Sequence, residues 1–282
     1  MVTPFAEDGS VDEAAARKLA RHLVDNGSHG VVVAGTTGES PTLSDEEDAL
    51  LVRAVRDELG DGATVICGTG TNDTRHSQKL SAAAAEAGAD AVLVVTPYYN
   101  KPNRAGLIAH YDAVAGAAGV PVIAYNIPSR VVVNMAPDLL AELGRIDNVV
   151  AVKQANNDEI DAVEGLEVLA GNDDVFLRCL ESGGAGGILV ASHLVGPQMR
   201  EIFDAVQGGD GERARRIDAE LRPVYEAMAL DTNPIPVKAA AEMLGLIPSA
   251  RMRLPMVEAD EGMRAELRRA LEAAGLLTAS AA

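Results

Sequence analysis

Short, continuous apolar runs alternate with amphipathic stretches through most of this 282-residue chain. Strands without polar alternation are buried on both faces, which is typical of a parallel sheet covered by helices. The runs lie at 30–34, 64–67, 91–95, 121–125, 149–153, 168–171 and 187–191, and a shorter remnant stands at 1–5. Eight such units predict an α/β fold of the (β/α)8 TIM barrel type, with a doubly wound sheet as the alternative.

The barrel is predicted to occupy residues 1–207, with a truncated first strand because the opening run is too short before Pro4. Residues 208–282 are predicted to form a C-terminal helical appendix. Helical stretches without intervening strands are expected at about 197–206, 211–230, 234–244 and 258–274. Asp12 is expected to cap the first helix, and Ser44 with Glu47 to form a capping box at the second.

Charge and composition exclude several classes of partner. The formal net charge of -18 argues against nucleic acid and anionic membranes, because phosphate groups need a cationic surface. No apolar run reaches membrane-spanning length and no basic-then-apolar leader opens the chain, so a cytoplasmic protein is expected. Cys67 and Cys179 are expected to be free thiols. The scattered histidines match no metal-ligand spacing, so no metal is expected.

Lys153 closes the apolar run at 149–153, where an ammonium is costly to bury. Desolvation disfavours the charged form of an amine, lowers its pKa and frees it as a nucleophile that captures a carbonyl substrate as a Schiff base. The alternative is a strand-end lysine whose head reaches solvent, and the strand alone favours that alternative.

A barrel brings the carboxyl ends of its strands to one mouth, which adds to the case for Lys153. The residues expected there are Thr36, Thr37, Tyr98, Tyr99, Tyr125, Arg130, Lys153, Gly171 and Ile188. Phenols near the amine can transfer protons. The GTTG turn that starts at Gly35 either binds a carboxylate or phosphate or is a simple turn.

Six motifs occur in order along the chain: GTTGES from Gly35, GTGTND from Gly68, TPYYNKP from Thr96, YNIPSR from Tyr125, VVAVK ending at Lys153 and NPIPVK from Asn233. Together they make the chain resemble the dihydrodipicolinate synthase branch of the N-acetylneuraminate lyase superfamily of class I aldolases. The resemblance covers nearly the whole chain and implies condensation of pyruvate with aspartate 4-semialdehyde in lysine and diaminopimelate biosynthesis.

The resemblance also implies a role for each matching residue. The catalytic set is Lys153 as the Schiff-base amine, Tyr125 as the proton donor and acceptor, Thr36 as its hydrogen-bond partner, and Tyr99 as a relay member reaching in from a neighbouring subunit. The substrate-binding set is Thr37 and Ile188 for pyruvate, Arg130 for the carboxylate of the second substrate, and Gly171. No cofactor is implied beyond the covalent imine, and a homotetramer built as a dimer of dimers is expected.

The chain departs from the family pattern at several positions. Ser40, Asn72 and Tyr98 match members inhibited by lysine, but His76 replaces the acidic residue that would hold the lysine ammonium, so weak or absent inhibition is predicted. Val131-Val132 stand where Thr-Gly is usual. The segment after Lys153 is short, which predicts a stunted sixth helix.

Three alternative functions stay open. The first is another pyruvate-dependent aldolase that cleaves a sialic acid or keto-deoxy sugar acid; Arg130, the tyrosine pair of TPYYNKP and the NPIPVK motif argue against it. The second is a barrel that binds a keto acid without turnover, which would be expected to lose relay residues. The third is a phosphate-binding barrel, for which the glycine-rich stretch at 183–187 comes before the eighth strand rather than after it.

Overall fold

The computed structural model describes residues 1–278, and its centre is a sheet of parallel strands that follow one another in sequence order. The strands are Gly30–Val33 (β1), Thr64–Gly68 (β2), Ala91–Val95 (β3), Val122–Asn126 (β4), Val149–Gln154 (β5), Glu167–Ala170 (β6) and Gly186–Gly187 (β7). Each strand pairs in parallel with the next along the chain. This sequential order is that of the predicted barrel and excludes the doubly wound sheet, whose strand order reverses.

Helices follow the strands and cover the outer face of the sheet. They are Glu13–Asp25 (α1), Asp45–Leu59 (α2), Thr74–Glu86 (α3), Arg104–Ala118 (α4), Pro128–Val131 (α5), Pro137–Leu143 (α6), Phe176–Glu181 (α7) and Ser192–Gln207 (α8). Both predicted helix starts are confirmed, because the Asp12 side chain accepts from the Ala15 amide and Ser44 forms its capping box with Glu47. The connection between β5 and β6 holds only a 3-10 turn, Asn157–Glu159, as the short sequence there predicts.

Three further helices come after the strands. They are Gly211–Met228 (α9), Ile235–Met243 (α10) and Glu261–Ala273 (α11). Asp210 caps α9 and Asp260 caps α11, each by accepting from a backbone amide in the first turn. The last residues of the predicted C-terminal region, 279–282, lie outside the described part of the chain.

The two faces of the strands contribute to two separate apolar layers. Val31 and Val33 pack outward against the helices, while Val32 packs inward. The same alternation puts Ile123 and Tyr125 of β4 inside the barrel. The inner layer also contains Leu93, Ile127 and Ala151, with Tyr98, Leu169 and Ile188 packed against it. Side chains at alternate strand positions therefore meet in the barrel interior.

The prediction of eight strands is wrong by one, because residues 1–5 form no regular strand. Phe5 instead makes an isolated antiparallel bridge with Val11. The Met1 amine donates to the Val32 carbonyl at 2.5 Å, and the Val2 amide donates to His193 Nε2 at 3.1 Å. Pro4 has no amide to contribute to a ladder, and the Met1 amine and Val2 amide bond to β1 and α8 without forming strand pairs.

The predicted strand at 187–191 is also wrong beyond Gly187. The Ile188 amide still bonds to the Ala170 carbonyl at 2.9 Å, but the next free donors turn away from the sheet. The amides of Val190 and Ala191 donate to Asp173 Oδ1 at 2.9 and 3.0 Å. A side-chain carboxylate therefore takes the place of a neighbouring strand as their acceptor.

Candidate active site

Lys153 lies on β5 directly beside Tyr125 on β4, with which it is in register. Its Nζ atom is 4.3 Å from the centre of the Tyr125 ring, and the residue is only 8% exposed. Both side chains point into the barrel, because Lys153 is two positions along the strand from the inward Ala151. The amine therefore lies under a phenol ring inside the barrel and does not extend into solvent.

Asp173 is a charged neighbour that the sequence reasoning missed. Burial raises the pKa of its carboxyl to about 6, although the Ala191 and Val190 amides and the charge of Lys153 act in the opposite direction. The sequence does contain a local indication of this neighbour, because Asp173 and Asp174 follow the β6 exit at Gly171 after a single residue. The carboxyl supplies negative charge near the Lys153 amine.

The GTTGES segment forms a tight turn at the exit of β1. The Gly38 amide donates to the Gly35 carbonyl at 3.0 Å, and the Glu39 amide donates to the Thr36 carbonyl at 3.1 Å. The hydroxyl of Thr37 accepts from Asn233 Nδ2 at 2.9 Å. Asn233 belongs to the NPIPVK motif, so this bond connects two of the six sequence motifs.

A cavity of about 500 Å³ opens at the carboxyl ends of β1 to β4, within the range of small-molecule sites. Thr36, Tyr98, Tyr125 and Arg130 line it together with Asn233. The structure therefore brings together residues from four separate motifs, as the barrel prediction expected. Tyr125 forms the common boundary between this cavity and the Lys153 amine.

Arg130 is exposed at the rim of this cavity, one turn into α5. Its Nη2 group donates to the Asn233 carbonyl at 3.0 Å and to Thr232 Oγ1 at 3.2 Å. Within residues 1–278 its Nε and Nη1 groups donate no hydrogen bond, so they are available to a ligand carboxylate. A guanidinium that is held through Nη2 in this way can still donate a charge-assisted hydrogen bond to a carboxylate through Nε or Nη1.

Ile188 and Gly171 lie at the exits of β7 and β6. Ile188 packs against the inner layer that contains Tyr125, and it also lines a second cavity of about 320 Å³ between β1 and β7. Gly171 is buried, and its amide donates to the Gln154 carbonyl at 2.7 Å. A Cβ at Gly171 would lie 2.9 Å from both the Ala155 Cβ and the Gln154 carbonyl oxygen, so only glycine fits.

Tyr99 does not join the other predicted residues in this chain. It is 89% exposed and has a backbone φ of 72° in the left-handed region, which is uncommon for a residue with a Cβ. The neighbouring Tyr98 turns the other way and lines the large cavity.

The four residues that the family resemblance links to lysine binding, Ser40, Asn72, His76 and Tyr98, line the same cavity as Thr36 and Tyr125. His76 Nε2 is 2.9 Å from Asp45 Oδ1, and hydrogen bonds from Lys79 and His76 lower the pKa of Asp45. Asp45 and Asp48 are among the acidic residues that line the cavity, and the sequence reasoning missed both.

Asp48 is unusual among these carboxylates. Burial and the nearby charges of Asp45 and Glu47 raise its pKa to about 7. Its Oδ1 atom is buried without a hydrogen-bond partner in the part of the chain that the structure describes.

No group of three or more His, Cys, Asp or Glu side chains within residues 1–278 could hold a metal ion. No helix there is long and apolar enough to cross a membrane.

The profile of the Dihydrodipicolinate synthetase family matches residues 1–274. The chain belongs to this family. It is 47% identical over 284 residues to 4-hydroxy-tetrahydrodipicolinate synthase of Symbiobacterium thermophilum, covering 98% of this chain and 97% of that protein. The enzyme of the same name from Desulforudis audaxviator is 45% identical, covering 98% of this chain and 96% of that protein.

Among solved structures, dihydrodipicolinate synthase from Acinetobacter baumannii complexed with pyruvate superposes with a TM-score of 0.94 at 36% identity. The match covers 98% of this chain and 97% of that chain. The predicted family and the predicted barrel fold are both confirmed. The sequence motifs that indicated the dihydrodipicolinate synthetase family are those that the structure gathers around Lys153 and the large cavity.

Proposed function

We propose that this chain is a 4-hydroxy-tetrahydrodipicolinate synthase, which condenses pyruvate with aspartate 4-semialdehyde in lysine and diaminopimelate biosynthesis. The observation that carries the proposal is the Lys153 amine, which is 8% exposed and lies 4.3 Å from the centre of the Tyr125 ring. Near full-length relatives in the same family carry this enzyme name, which supports the assignment. The enzyme is proposed to work in the cytoplasm.

The chemistry begins with attack of the Lys153 amine on the keto carbon of pyruvate. The tetrahedral adduct loses water to give an imine, and the protonated imine acidifies the methyl group. Loss of a methyl proton gives an enamine, whose carbon attacks the aldehyde of the second substrate and forms the new carbon–carbon bond. Ring closure by the substrate amine releases Lys153, so no further cofactor is needed.

Tyr125 is proposed to carry protons to and from the reacting atoms, with Thr36 as its hydrogen-bond partner. Its position on β4 supports this role, because the ring covers the amine and also lines the large cavity. A phenol placed in this way can protonate the leaving hydroxyl and accept the methyl proton in turn.

Substrate binding is proposed to divide between two groups of residues. The Thr37 hydroxyl, the backbone of Ile188 and the close-packed turn at Gly171 hold the pyruvate end near Lys153. Arg130 receives the carboxylate of aspartate 4-semialdehyde, because within residues 1–278 its Nε and Nη1 groups have no hydrogen-bond partner and the charged guanidinium is exposed at the cavity rim.

Tyr99 is proposed to complete the relay of a neighbouring subunit. An aromatic ring that is 89% exposed on a left-handed backbone supports a role outside its own chain. A homotetramer, a dimer of dimers, is proposed on this basis.

Borohydride trapping tests the proposed function. The protein is incubated with pyruvate, reduced and digested, and the modified lysine is located by mass spectrometry. A stable adduct on Lys153 of the wild-type protein is expected, and its absence from a Lys153→Met control would distinguish trapping from background. An adduct on Lys101 or Lys238 instead would overturn the assignment.

A second assay separates this enzyme from a sugar-acid lyase. Turnover of pyruvate with aspartate 4-semialdehyde is expected, and cleavage of N-acetylneuraminate is not.

A further inference from the structure

The NPIPVK segment contacts two separate parts of the active site, Arg130 and the GTTGES turn. The carbonyl of Asn233 accepts from Arg130, and the Asn233 side chain donates to the Thr37 hydroxyl at 2.9 Å. One turn later, Lys238 reaches Glu39, which follows Thr37 by two positions in the GTTGES turn. The C-terminal helices therefore hold the turn that carries Thr36 and Thr37.

The contact between Lys238 and Glu39 is a fully buried ion pair. Lys238 Nζ donates to Glu39 Oε1 at 2.5 Å, and the two side chains are 0% and 2% exposed. The other carboxylate oxygen, Oε2, accepts from the Arg253 amide at 3.1 Å. The Phe5 ring lies against the lysine, with its centre 4.2 Å from Nζ. Both oxygens of Glu39 are thus fixed, and the ammonium has an anion on one side and an aromatic ring beside it.

Such a pair is poorly explained by stability alone. Removing two charges from water is costly, and a buried pair replaced by apolar residues of similar size is often no less stable. Burial lowers the pKa of Lys238, while the hydrogen bond from Lys238 to Glu39 acts against that decrease. What the pair supplies beyond energy is a defined geometry between two distant parts of the chain.

That geometry is needed at the GTTGES turn because its backbone is unusual. Glu39 has a φ of 59° in the left-handed region, which costs free energy for a residue with a Cβ and persists only where the surroundings enforce it. The next anchor on the amino-terminal side is Thr3, whose hydroxyl donates to the Gly38 carbonyl at 2.7 Å. The Glu39 carboxylate is thus the side chain that ties the strained residue itself to the rest of the fold.

We infer that Glu39 and Lys238 are a positioning pair that holds Thr36 and Thr37 in place for pyruvate. This inference rests on the proposed function, in which Thr37 binds the pyruvate carboxylate. Glu39 is 3% exposed although it is among the residues lining the large cavity, so in this proposal the pair acts through the turn and not by contact with substrate.

Three variants test the pair: Lys238→Met, Glu39→Gln and the double variant that contains both. Steady-state kinetics with each substrate, thermal unfolding and circular dichroism are measured for all three. The KM for pyruvate is expected to rise on the order of tenfold to a hundredfold, because small displacements of a binding group are costly in catalysis. The KM for aspartate 4-semialdehyde is expected to change less, since Arg130 is held by backbone and Thr232 contacts that remain.

Arg264→Met is the matched control. Arg264 pairs with Glu242, which lies about one turn beyond Lys238 on the same helix, but the pair joins α10 to α11 and not to the GTTGES turn. This variant also replaces a cation with methionine. It is expected to lower the unfolding temperature while the KM for pyruvate stays at the wild-type value.

The double variant keeps the test decisive if Lys238→Met alone leaves an unpaired buried carboxylate and does not fold. A folded double variant with the wild-type KM for pyruvate would overturn the inference, as would an equal KM increase in Arg264→Met. If neither Lys238→Met nor the double variant folds, Glu39→Gln is the test, because it keeps the shape of the side chain. A wild-type KM for pyruvate in Glu39→Gln would then overturn the inference. Failure of the proposed function itself would be seen separately, as wild type that forms no reducible adduct with pyruvate.

Discussion

The Lys153 amine lies beneath the ring of Tyr125, and the two residues are paired in register on neighbouring strands. A single strand alignment therefore fixes the distance between the proposed nucleophile and the proposed proton carrier. Because both side chains project from rigid strands and not from loops, their relation does not depend on loop closure.

Removal of the Tyr125 hydroxyl separates proton transfer from packing. Tyr125→Phe keeps the ring over Lys153 and is expected to lower kcat by about 10²–10⁴-fold, the usual contribution of a positioned acid–base group. Tyr111→Phe is the control, since that hydroxyl donates to the Val94 carbonyl at 3.0 Å outside the barrel interior. The control should lose stability and retain kcat. Equal kcat values for both variants would remove Tyr125 from the relay.

Replacement of Arg130 should affect one substrate only. Arg130→Lys keeps the charge but loses the planar guanidinium and the Nη2 contacts that fix its position, so the KM for aspartate 4-semialdehyde is expected to rise roughly tenfold or more. The KM for pyruvate should stay near the wild-type value. The comparison variant is Arg104→Lys, which alters an exposed pair with Asp138 and Glu142 on the outer helices. A pyruvate KM that rises in parallel would contradict the proposed division of the site.

Val132 is a source of strain that a substitution can remove. It is 67% exposed and has a φ of 70°, a conformation that a β-branched residue rarely adopts. Such strain costs about 1–3 kcal/mol, and the added freedom of glycine in the unfolded chain offsets roughly 0.4–1 kcal/mol of the gain. Val132→Gly is therefore expected to raise the urea midpoint, and Val132→Ala to raise it less because it keeps a Cβ. A lower midpoint for the glycine variant would show that the strain is absent.

Asp48 should make the folded protein less stable as the pH rises. Its pKa in the folded state is raised from 3.8 to about 7, so the folded state binds a proton more tightly than the unfolded state does. The free energy of unfolding is expected to fall between about pH 4 and pH 7, by up to about 4 kcal/mol at 1.36 kcal/mol per pKa unit. Asp48→Asn should remove this decrease, as followed by urea unfolding at several pH values.

Asp45 provides the opposite control for that experiment. Hydrogen bonds from Lys79 and His76 lower its pKa, so its contribution to stability is present above the unfolded-state pKa and is lost as the pH falls. Asp45→Asn should therefore matter at neutral pH and have little effect in acid. An Asp48→Asn protein whose stability still falls between pH 4 and pH 7 as in wild type would show that the assignment of Asp48 is wrong. Asp45→Asn is read separately, because the charge of Asp45 contributes to raising the pKa of Asp48.

Lysine is expected to inhibit this enzyme weakly or not at all. The family resemblance implies that His76 replaces the acidic residue of lysine-sensitive members, and its Nε2 is 2.9 Å from Asp45 Oδ1. His76→Glu is expected to increase sensitivity, measured as the lysine concentration that halves the initial rate. Half-inhibition of wild type by sub-millimolar lysine would contradict the prediction and indicate that Asp45 and Asp48 hold the ammonium instead.

Local patterns were sufficient for most of the fold and for the centre of the site. Lys153 and Tyr125 end or nearly end continuous apolar runs, and parallel strands bring such ends together whatever lies between them. The strand predicted at 187–191 failed because its amides bond to Asp173, a contact between side chain and backbone that periodicity does not contain.

The parts that sequence reasoning missed depend on pairs far apart in the chain. Glu39 and Lys238 are separated by 199 positions, and each alone resembles an ordinary charged residue in a motif. Asp45 and Asp48 fit the first turn of a capped helix, where acidic residues are common, so nothing local marked them as cavity residues. Tyr99 as a residue of a neighbouring subunit remains a prediction.

The absence of a side chain at Gly171 links the end of β6 to the reacting nitrogen. Any substituent there would meet Ala155 and the Gln154 carbonyl at 2.9 Å, and Gln154 is the residue immediately after Lys153. Accommodating even one methyl group would push β5 aside at its tip. The position of β5, the strand that carries Lys153, thus depends on a residue with no side chain. The activity that remains when Gly171 is replaced by larger residues should show how far the Lys153 amine can be displaced before imine formation fails.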